Sequence, residues 1–570
     1  MRSGAEALVE ALERAGTEVV FGYPGANVVD VFDRLRTAKF RFVLGRHEQG
    51  CTHMADGYAR ATGRPGVVVV TSGPGATNAI TGLATANVDG VPLVLISGQV
   101  PLSQIGTDAF QEADMTGICR AATKHSFLVK SADEIPETVA QAFYIATHGK
   151  PGAVVIDVPK NVQEELTAAQ YPERISLRAY HPEHAATTAQ VNRLAKYLNE
   201  AKRPVIYAGG GVIAANAAKD VAALAKRAGI PVATTLMGIG SFDENDSLAL
   251  GLAGMYGTSA ANAALASADV IIALGVRFND RVTGRDILQY VSRKKIVHVD
   301  CDPSSIDKNV TVDLGIVADI KDLLTTVNSR VKPNERAAWG RQIAKWKWAE
   351  AARTPVATCF ASSLRSGDTE VAPYRGRSHV VGRDVPARRA IEAIYNATKG
   401  MALLVADVGD HQMACARYFR HSHPRHFLSS GGMGTMGFAI PAAIGAAIAK
   451  PDHKVVAVVG DGGAQMTSEE LIVAAQEKLP ITFVIMNNRA LGMVNTPITS
   501  PDFVKLAQAH GVKGVRVADP KKLDAAISRA VKAKKPVLVE VEVADAACPE
   551  VTPYLAVVGR DVLGAPRGRK

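Results

Sequence analysis

Short runs of hydrophobic residues, each followed by a segment with helical spacing, recur along the whole chain in three groups. The first group predicts strands at Glu18–Phe21, Arg41–Leu44, Gly66–Thr71, Leu93–Ile96 and Ala153–Asp157. The second predicts Pro204–Ala208, Pro231–Thr234, Val270–Leu274 and Ile296–Val299, and the third Ala402–Ala406, Val455–Val459, Thr482–Met486 and Val537–Val541. Unbroken β-branched runs joined by helices are typical of parallel sheets covered on both faces. The pattern therefore predicts an α/β fold with three doubly wound parallel-sheet domains.

Two segments interrupt this rhythm and are predicted to be linkers. Residues near 160–190 are polar and include Pro172 and Pro182, and residues near 331–385 mix charge with Trp346, Trp348 and scattered Gly and Pro. The predicted domains are therefore 1–165, 188–345 and 380–550, followed by a loose basic tail at 560–570.

Composition excludes several classes of protein. The 570 residues carry a formal charge of +10, but the basic residues are scattered and form no stripe with interleaved aromatics, so no nucleic-acid partner is predicted. Hydrophobic runs such as Val67–Val70 are too short to cross a bilayer, so no membrane partner is predicted either. The N-terminus lacks the pattern of a signal or transit segment. Six separate cysteines indicate reduced thiols in a cytoplasmic protein, namely Cys51, Cys119, Cys301, Cys359, Cys415 and Cys548.

The strongest chemical signal is Gly460-Asp461-Gly462 followed by Asn487-Asn488. Asp461 ends one predicted buried strand and Asn488 ends the next, so their side chains can supply two oxygen ligands to one hard cation. Such a site suits Mg²⁺, which completes its coordination shell with water and phosphate. Gly-Asp-Gly alone could equally be a tight turn, and it is the second strand end with Asn488 that makes the pair specific.

Other polar and glycine-rich strand ends are weaker signals. Glu48, in Arg46–Gly50, follows a strand of the first domain and by itself would read as a solvated rim residue. Glycines follow the strands at Gly73, Gly209–Gly211 and Gly275, where doubly wound sheets bind ligands. Taken alone, Gly209–Gly211 could be a plain turn.

The pairing of Asp461 with Asn488 is similar to the signature of thiamine diphosphate enzymes. Further motifs closely resemble the large, catalytic subunits of the acetohydroxyacid synthase (acetolactate synthase) family, from about residue 3 to residue 545. They are Gly57–Gly63, Thr71–Asn78, Ile105–Glu112, Thr123–His125, Thr235–Gly238, Gly275–Gly284 and Gly431–Phe438.

This resemblance implies an activity and a set of site residues. Family members decarboxylate pyruvate and transfer the two-carbon unit to a second 2-keto acid, pyruvate or 2-ketobutyrate, in branched-chain amino-acid biosynthesis. It implies that Asp461, Asn488 and the backbone carbonyl of Ala490 hold Mg²⁺, and that Glu48 contacts the aminopyrimidine ring of thiamine diphosphate. It places Gln111 and Lys124 in the active site. It also implies that Arg281 binds the carboxylate of the second keto acid, a role for which a guanidinium group is suited. The alternative for Arg281 is an ion pair with a neighbour such as Asp280.

The resemblance also implies the remaining cofactor contacts. Thiamine diphosphate would lie against Tyr23, Pro24, Gly25, Gly73, Asn78, Gly409, His411, Gln412, Gly434, Met436, Gly462, Gly463, Gly492 and Met493. The middle domain resembles the family's flavin site, where FAD serves the structure without a redox task. Its implied contacts are Gly209, Gly210, Gly211, Thr235, Leu236, Met237, Met255, Gly257, Thr258, Gly275, Arg277, Asp300 and Asp319.

Implied partners follow from the same family. In members of this family the active site lies between two chains, so a homodimer or homotetramer is expected here. A small regulatory subunit is also typical of the family. The small-molecule partners are 2-keto acids.

The chain departs from the family most clearly after Leu491-Gly-Met-Val. The family continues with a longer segment containing a Trp that favours 2-ketobutyrate, whereas this chain has Asn495–Phe503. A shortened cover would exclude water less well. Smaller departures are Ala26, Asn279, Asp410 and Gly463-Ala464. A related 2-keto acid decarboxylase or carboligase with another substrate or acceptor therefore stays the alternative, and a non-catalytic cofactor-binding protein is a third hypothesis that the intact Glu48, Asp461 and Asn488 oppose.

Overall fold

The computed structural model describes residues 1–175, 177–284, 290–352, 385–494 and 496–543. It contains three sheets of six parallel strands each, with helices between the strands. The predicted α/β class with three parallel sheets is confirmed, because all thirteen predicted strands are present within a few residues of their predicted bounds.

The N-terminal sheet has the spatial order 2-1-3-4-6-5 when its strands are numbered along the chain. In that spatial order the strands are Arg41–Leu44, Val19–Tyr23, Gly66–Val70, Leu93–Gln99, Ala153–Pro159 and His125–Leu128. The helices of this part are Gly4–Arg14, Val29–Leu35, Glu48–Thr62, Pro74–Asn78, Ile80–Asp89, Met115–Cys119, Ile135–Thr147 and Lys160–Glu164.

The central sheet has a different order, 3-2-1-4-5-6, which is the order of dinucleotide-binding domains. Its strands are Ala249–Leu252, Val232–Thr234, Pro204–Ala208, Val270–Leu274, Lys295–Asp300 and Leu314–Val317. Its described helices are Thr188–Glu200, Gly210–Ala214, Ala218–Ala228, Ser259–Ser267, Asp280–Thr283, Ile320–Arg330 and Ala337–Ala352.

The C-terminal sheet repeats the order 2-1-3-4-6-5 of the first. Its strands are Phe427–Ser429, Leu403–Ala406, Val455–Gly460, Thr482–Asn487, Val537–Glu542 and Lys513–Val517. Its helices are Ala387–Thr398, Asp410–Tyr418, Ala439–Ala449, Asp461–Ala464, Leu471–Gln476, Phe503–Ala509 and Leu523–Val531.

Five sheet strands were not predicted, and every one of them is an edge strand. They are His125–Leu128, Ala249–Leu252, Leu314–Val317, Phe427–Ser429 and Lys513–Val517. An edge strand has a neighbour on one side only, and several of these, such as Lys513–Val517, are partly exposed along their length. The continuous hydrophobic run that marks a central strand is therefore missing from most of them.

The prediction of a linker over 331–385 is wrong for Ala337–Ala352, which form a helix. Trp339 is 4% exposed and donates from Nε1 to the carbonyl oxygen of Pro204 at 3.1 Å, so this helix packs on the central sheet. The predicted linker near 160–190 likewise begins with ordered elements, because Leu166–Thr167 pair antiparallel with Arg2–Ser3. The domain bounds 1–165, 188–345 and 380–550 stay predictions, and residues 353–384, 544–550 and the tail 560–570 lie outside the described residues.

The described residues include four of the six cysteines. Cys51, Cys119, Cys301 and Cys415 are free thiols, and Cys359 and Cys548 lie outside the described residues. Among the helices that the structure describes, none has the length and apolarity needed to cross a bilayer.

The N- and C-terminal domains meet along two helices, Glu48–Thr62 and Ala439–Ala449, that approach at glycines. A β-carbon on Gly57 would overlap with the carbonyl group of Ala442, and one on Gly445 would overlap with that of Met54. The two backbones are thus in direct contact, which only glycine permits at these positions.

We expect Gly445→Ala to lower the free energy of unfolding by about 2 kcal/mol, because the added methyl group must push the two helices apart. Chemical denaturation monitored by circular dichroism measures this change.

The matched control is Gly340→Ala, at an exposed position of the helix Ala337–Ala352 where a β-carbon has no atom within 4 Å. This control should raise stability by up to about 1 kcal/mol, since alanine is the better helix former. Equal effects of the two substitutions would contradict the close packing inferred at Gly445.

Candidate functional site

The predicted metal ligand Asp461 follows directly on the buried strand Val455–Gly460. Asp461 is 1% exposed, and its Oδ2 accepts a hydrogen bond from Ser500 Oγ at 2.8 Å. Burial raises the pKa of the Asp461 carboxyl above its usual range, and the Ser500 hydroxyl opposes that shift. A buried carboxylate of this kind is well suited to a cation, which would compensate its desolvation.

Asn488 lies at the end of the neighbouring strand Thr482–Asn487, which pairs in parallel with the strand of Asp461. Its Oδ1 accepts a hydrogen bond from the Ala490 backbone N–H at 3.2 Å. The three predicted metal-site residues are therefore at adjacent strand ends. The predicted ligand set combines the Asp461 carboxylate with an amide and a backbone carbonyl, and in the part of the chain described no three acidic, His or Cys side chains group as a metal centre.

A second set of predicted residues surrounds these strand ends. His411 Nε2 accepts from the Gly460 backbone N–H at 3.2 Å, and burial lowers the pKa of His411 to about 4, so the ring is neutral at physiological pH. Gly463 lies against Asp407, where a β-carbon would be 2.8 Å from Oδ1. Asp407 itself accepts from the backbone N–H groups of Gly437 and Ala439 at 3.0 and 2.9 Å. These contacts order the loop backbone around the predicted metal ligands.

The segment after Asn488 is a short hairpin. Ala490–Leu491 pair antiparallel with Thr496–Pro497, and Asn495 lies outside the described residues. The position of a β-carbon on Gly462 is 3.2 Å from Met436 Cε and 3.5 Å from Ile498 Cδ1. The short segment therefore folds back over the strand ends, and Ser500 at its far side reaches Asp461.

Glu48 occupies the first position of the helix Glu48–Thr62 in the N-terminal domain. Its Oε2 accepts a hydrogen bond from Asn78 Nδ2 at 3.0 Å, and the β-carbon position of Gly75 is 3.3 Å from Oε1. Glu48 and Asn78, both predicted site residues, are thus in direct contact.

The other predicted residues of this domain, apart from Lys124, lie near the ends of its first and third strands, Val19–Tyr23 and Gly66–Val70. Gly25, after Tyr23 and Pro24, packs against Thr71, where a β-carbon would be 2.5 Å from Cβ. Gly73 has a φ of +57° and lies against Gln111, so glycine is required there both for its conformation and for its contact. Strands 1 and 3 flank the point where the strand order reverses, which is where such sheets bind ligands.

Glu48 with Asn78 forms one half-site and Asp461 with Asn488 the other, and no hydrogen bond joins Glu48 to Asp461 among the described residues. The two domains are nevertheless in contact beside them, because Glu470 accepts from the backbone N–H groups of Arg46 and His47. Large apolar side chains near each half-site are exposed, with Tyr23 at 38% and Phe110 at 86% on one side and Met466 at 55% and Met493 at 42% on the other. Each half-site therefore offers an uncovered surface.

Lys124 has contacts that differ from its predicted place in the active site. Its Nζ donates to the carbonyl oxygens of Ile145, His148 and Lys150 and to the Tyr180 hydroxyl, and burial lowers the pKa of Lys124 to about 8. These bonds use the ammonium to tie together the N-terminal domain. The role of Lys124 toward substrate stays a prediction.

A cavity of about 720 Å³ opens where the central sheet reverses its strand order. Its size is in the range of cofactor pockets. Of the predicted flavin contacts, the following line it: Gly210, Gly211, Thr235, Leu236, Met237, Met255, Gly275, Arg277, Asp300 and Asp319. Gln412, Gly434 and Met493 of the C-terminal domain border the same cavity, so it reaches toward the metal half-site.

Three predicted flavin contacts lie outside the cavity wall. A β-carbon on Gly209 would overlap with the carbonyl of Gly275, which keeps the crevice narrow. Gly257 forms a tight turn with Gly254, and Thr258 accepts from Ala261 N–H at 3.0 Å as a helix cap. Their contacts are structural.

Arg281 lines the cavity and is exposed, and its one side-chain hydrogen bond among the described residues is to Met255 Sδ at 3.6 Å. The alternative of an ion pair with Asp280 is not observed there. Its guanidinium therefore faces the cavity without a carboxylate partner in the described part of the chain.

Asp89 joins all three domains and was not predicted from the sequence. Its side chain is fully buried, and its oxygens accept from Arg60 at 3.0 Å and from the backbone N–H groups of Gly431 and Gly432 at 3.0 and 2.8 Å. Arg277 of the central domain approaches it at 3.6 Å. Nothing in the local sequence marks Asp89, since its partners come from distant segments.

Comparison with known proteins gives the family. Residues 2–118 match the N-terminal TPP binding domain of thiamine pyrophosphate (diphosphate) enzymes, 191–327 the central domain and 407–541 the C-terminal TPP binding domain. The chain is 41% identical to the acetolactate synthase large subunit of Haemophilus influenzae over 565 residues, covering 95% of this chain and 94% of the relative.

Two further relatives are equally similar. The acetolactate synthase isozyme 3 large subunit of Escherichia coli is 42% identical, covering 93% of this chain and 92% of the relative. A probable acetolactate synthase large subunit of Methanocaldococcus jannaschii is 41% identical, covering 96% and 93%.

The chain belongs to the acetolactate synthase large-subunit family. The resemblance drawn from the motifs is thus confirmed across nearly the whole chain, and with it the presence of thiamine diphosphate-binding domains.

Proposed function

We propose that the protein is a thiamine diphosphate-dependent acetolactate synthase that condenses two molecules of pyruvate in branched-chain amino-acid biosynthesis. The observation that carries this proposal is the convergence of Asp461, Asn488 and Ala490 at adjacent strand ends in a chain about 41% identical to acetolactate synthase large subunits. When bound, the cofactor supplies the electron sink that lets a 2-keto acid lose carbon dioxide.

Mg²⁺ fits the donor set at the C-terminal half-site. Asp461, Asn488 and the carbonyl of Ala490 offer oxygen atoms, and the glycines that precede and follow them leave room for a diphosphate. Neutral His411 keeps the Gly460 backbone N–H engaged and so positions Asp461.

Glu48 is assigned to hold a proton next to the aminopyrimidine ring. The Asn78 amide fixes its carboxylate, and Gly75 leaves its other oxygen accessible. Arg281 is assigned to the carboxylate of the second keto acid, because its guanidinium faces the cavity. Gln111, which lies against Gly73, is assigned to the Glu48 side of the active site.

FAD fits the central cavity. The dinucleotide-type strand order, the glycines at Gly209–Gly211 and Gly275 and the volume of about 720 Å³ support a bound dinucleotide. Since the cavity also touches the C-terminal loops, FAD would brace the central domain against the catalytic one.

A homodimer or larger homo-oligomer would complete the active site. The separate half-sites and the exposed Tyr23, Phe110, Met466 and Met493 support a second copy that brings Glu48 of one chain to Asp461 of another. Relatives are named large subunits, which supports a small regulatory subunit as a further partner.

Glu48→Gln should lower kcat/KM for acetolactate formation by about 10²–10⁴-fold, the range for lost acid–base function, and Asp461→Asn should lower it as well, because a charged metal ligand is lost. Heterodimers of the two variants, purified through two different tags, should regain about half of the wild-type activity, because one of the two interface sites is then intact. Heterodimers no more active than the single variants would place each site within one chain.

FAD affinity should depend on charge at Gly210, the first residue of a short helix at the cavity. We expect Gly210→Asp to bind FAD about tenfold more weakly than the isosteric Gly210→Asn, because its carboxylate repels the pyrophosphate. Fluorescence titration of flavin-stripped protein measures both constants. Equal affinities, or a wild-type protein that binds no flavin, would exclude this placement.

The shortened hairpin at Ala490–Pro497 should reduce selectivity for 2-ketobutyrate. With equal concentrations of pyruvate and 2-ketobutyrate, we expect acetolactate to exceed acetohydroxybutyrate, since the family's Trp is missing from this segment. Chromatography of the products, with acetaldehyde assayed in parallel, measures the partition. Predominant acetohydroxybutyrate would mean that another residue supplies the preference, and acetaldehyde alone would favour a decarboxylase.

A further inference from the structure

Asp410 lies among the loops that carry the predicted metal ligands. It is the first residue of the helix Asp410–Tyr418, which follows Leu403–Ala406, and it is 8% exposed. That strand is the neighbour of Val455–Gly460, which is in turn the neighbour of Thr482–Asn487. Asp410, Asp461 and Asn488 therefore follow three consecutive strands of one sheet edge.

The Asp410 carboxylate points toward the Asn488 side of this edge. A β-carbon on Gly492 would overlap with Asp410 Oδ2, and the same position is 3.4 Å from Asn488 Nδ2. The carboxylate and the amide thus border one glycine in the loop just past the metal ligands. The hydrogen bond from Gly460 to His411, the residue after Asp410, holds the start of this helix against the Asp461 strand.

We propose that Asp410 is a second acidic group of the metal site, which makes the binding of thiamine diphosphate depend more strongly on the metal ion than Asp461 and Asn488 alone would require. This inference rests on the proposed function, because it concerns the same cofactor site.

The physical reason is the sign of the charges. Two buried carboxylates, Asp410 and Asp461, attract a divalent cation and repel the diphosphate of the cofactor. With the metal bound, the local charge is reversed and the diphosphate is attracted. By linkage, metal and cofactor then raise each other's affinity by the same factor, and an additional carboxylate enlarges that factor.

Asp410→Asn separates charge from shape. Isothermal titration calorimetry would measure thiamine diphosphate binding in EDTA and in saturating Mg²⁺, and electron paramagnetic resonance would measure the binding of Mn²⁺ alone. We expect the variant to bind Mn²⁺ more weakly and metal-free thiamine diphosphate more tightly than wild type. The ratio of the two thiamine diphosphate affinities should fall by about fivefold or more.

The matched control is Asp452→Asn, which removes an exposed acid from the same domain and should leave all three constants unchanged. Asp410→Gln, with a longer neutral side chain, is a second variant should Asp410→Asn fail to fold, and Asp410→Glu should retain the wild-type ratio.

An unchanged ratio in a folded Asp410→Asn or Asp410→Gln protein would overturn the role of Asp410 and leave the proposed function intact. Wild-type protein that binds no thiamine diphosphate in saturating Mg²⁺ would overturn the proposed function itself, so the two failures are distinguishable.

Discussion

The buried carboxylate of Asp89 is the contact on which the arrangement of the three domains depends. It pairs with Arg60 of its own domain, accepts from Gly431 and Gly432 of the C-terminal domain and lies near Arg277 of the central one. Arg60 is in turn paired with Asp56 and donates to the Ser429 carbonyl at 2.9 Å. A buried charge is tolerated only when it is paired and fully hydrogen-bonded, so loss of any one partner leaves the others uncompensated.

This junction places the two cofactor regions relative to each other. Gly431 and Gly432 begin the loop that continues through Gly434 and Met436, which border the cavity and the strand end of Asp461 respectively. Arg277 lies on the wall of the same cavity. The wall of the central cavity and the loop that leads to Met436 are therefore joined through one buried carboxylate.

Much of the fold could be predicted from the sequence, because a central strand has a recognisable hydrophobic pattern. A strand covered on both faces needs hydrophobic residues at every position, and runs such as Val455–Val459 satisfy that requirement locally. Edge strands such as Lys513–Val517 lack such a run, so the sequence does not predict them. The helix Ala337–Ala352 is not predicted either, because its charged residues resemble those of a linker, although Trp339 is buried. The predicted ligands Asp461 and Asn488 could be placed at adjacent strand ends because each follows a recognisable strand. Asp89 and Ser500 were missed because their roles come from residues far away in the chain, and the contacts of Lys124 were unforeseen for the same reason.

The N- and C-terminal sheets share one strand order, 2-1-3-4-6-5. Both half-sites lie at the carboxyl edge of the same architecture, where Glu48 follows the second strand of the N-terminal sheet and Asp461 follows the third strand of the C-terminal one. In the proposed assembly a single scaffold, used twice, would recognise two chemically unlike ends of one ligand. The backbone determines the location of both half-sites, and a few side chains determine whether a half-site handles a proton or binds a metal. Exchange of those side chains, without rearrangement of the fold, is therefore the route by which such a chain could acquire a new chemistry.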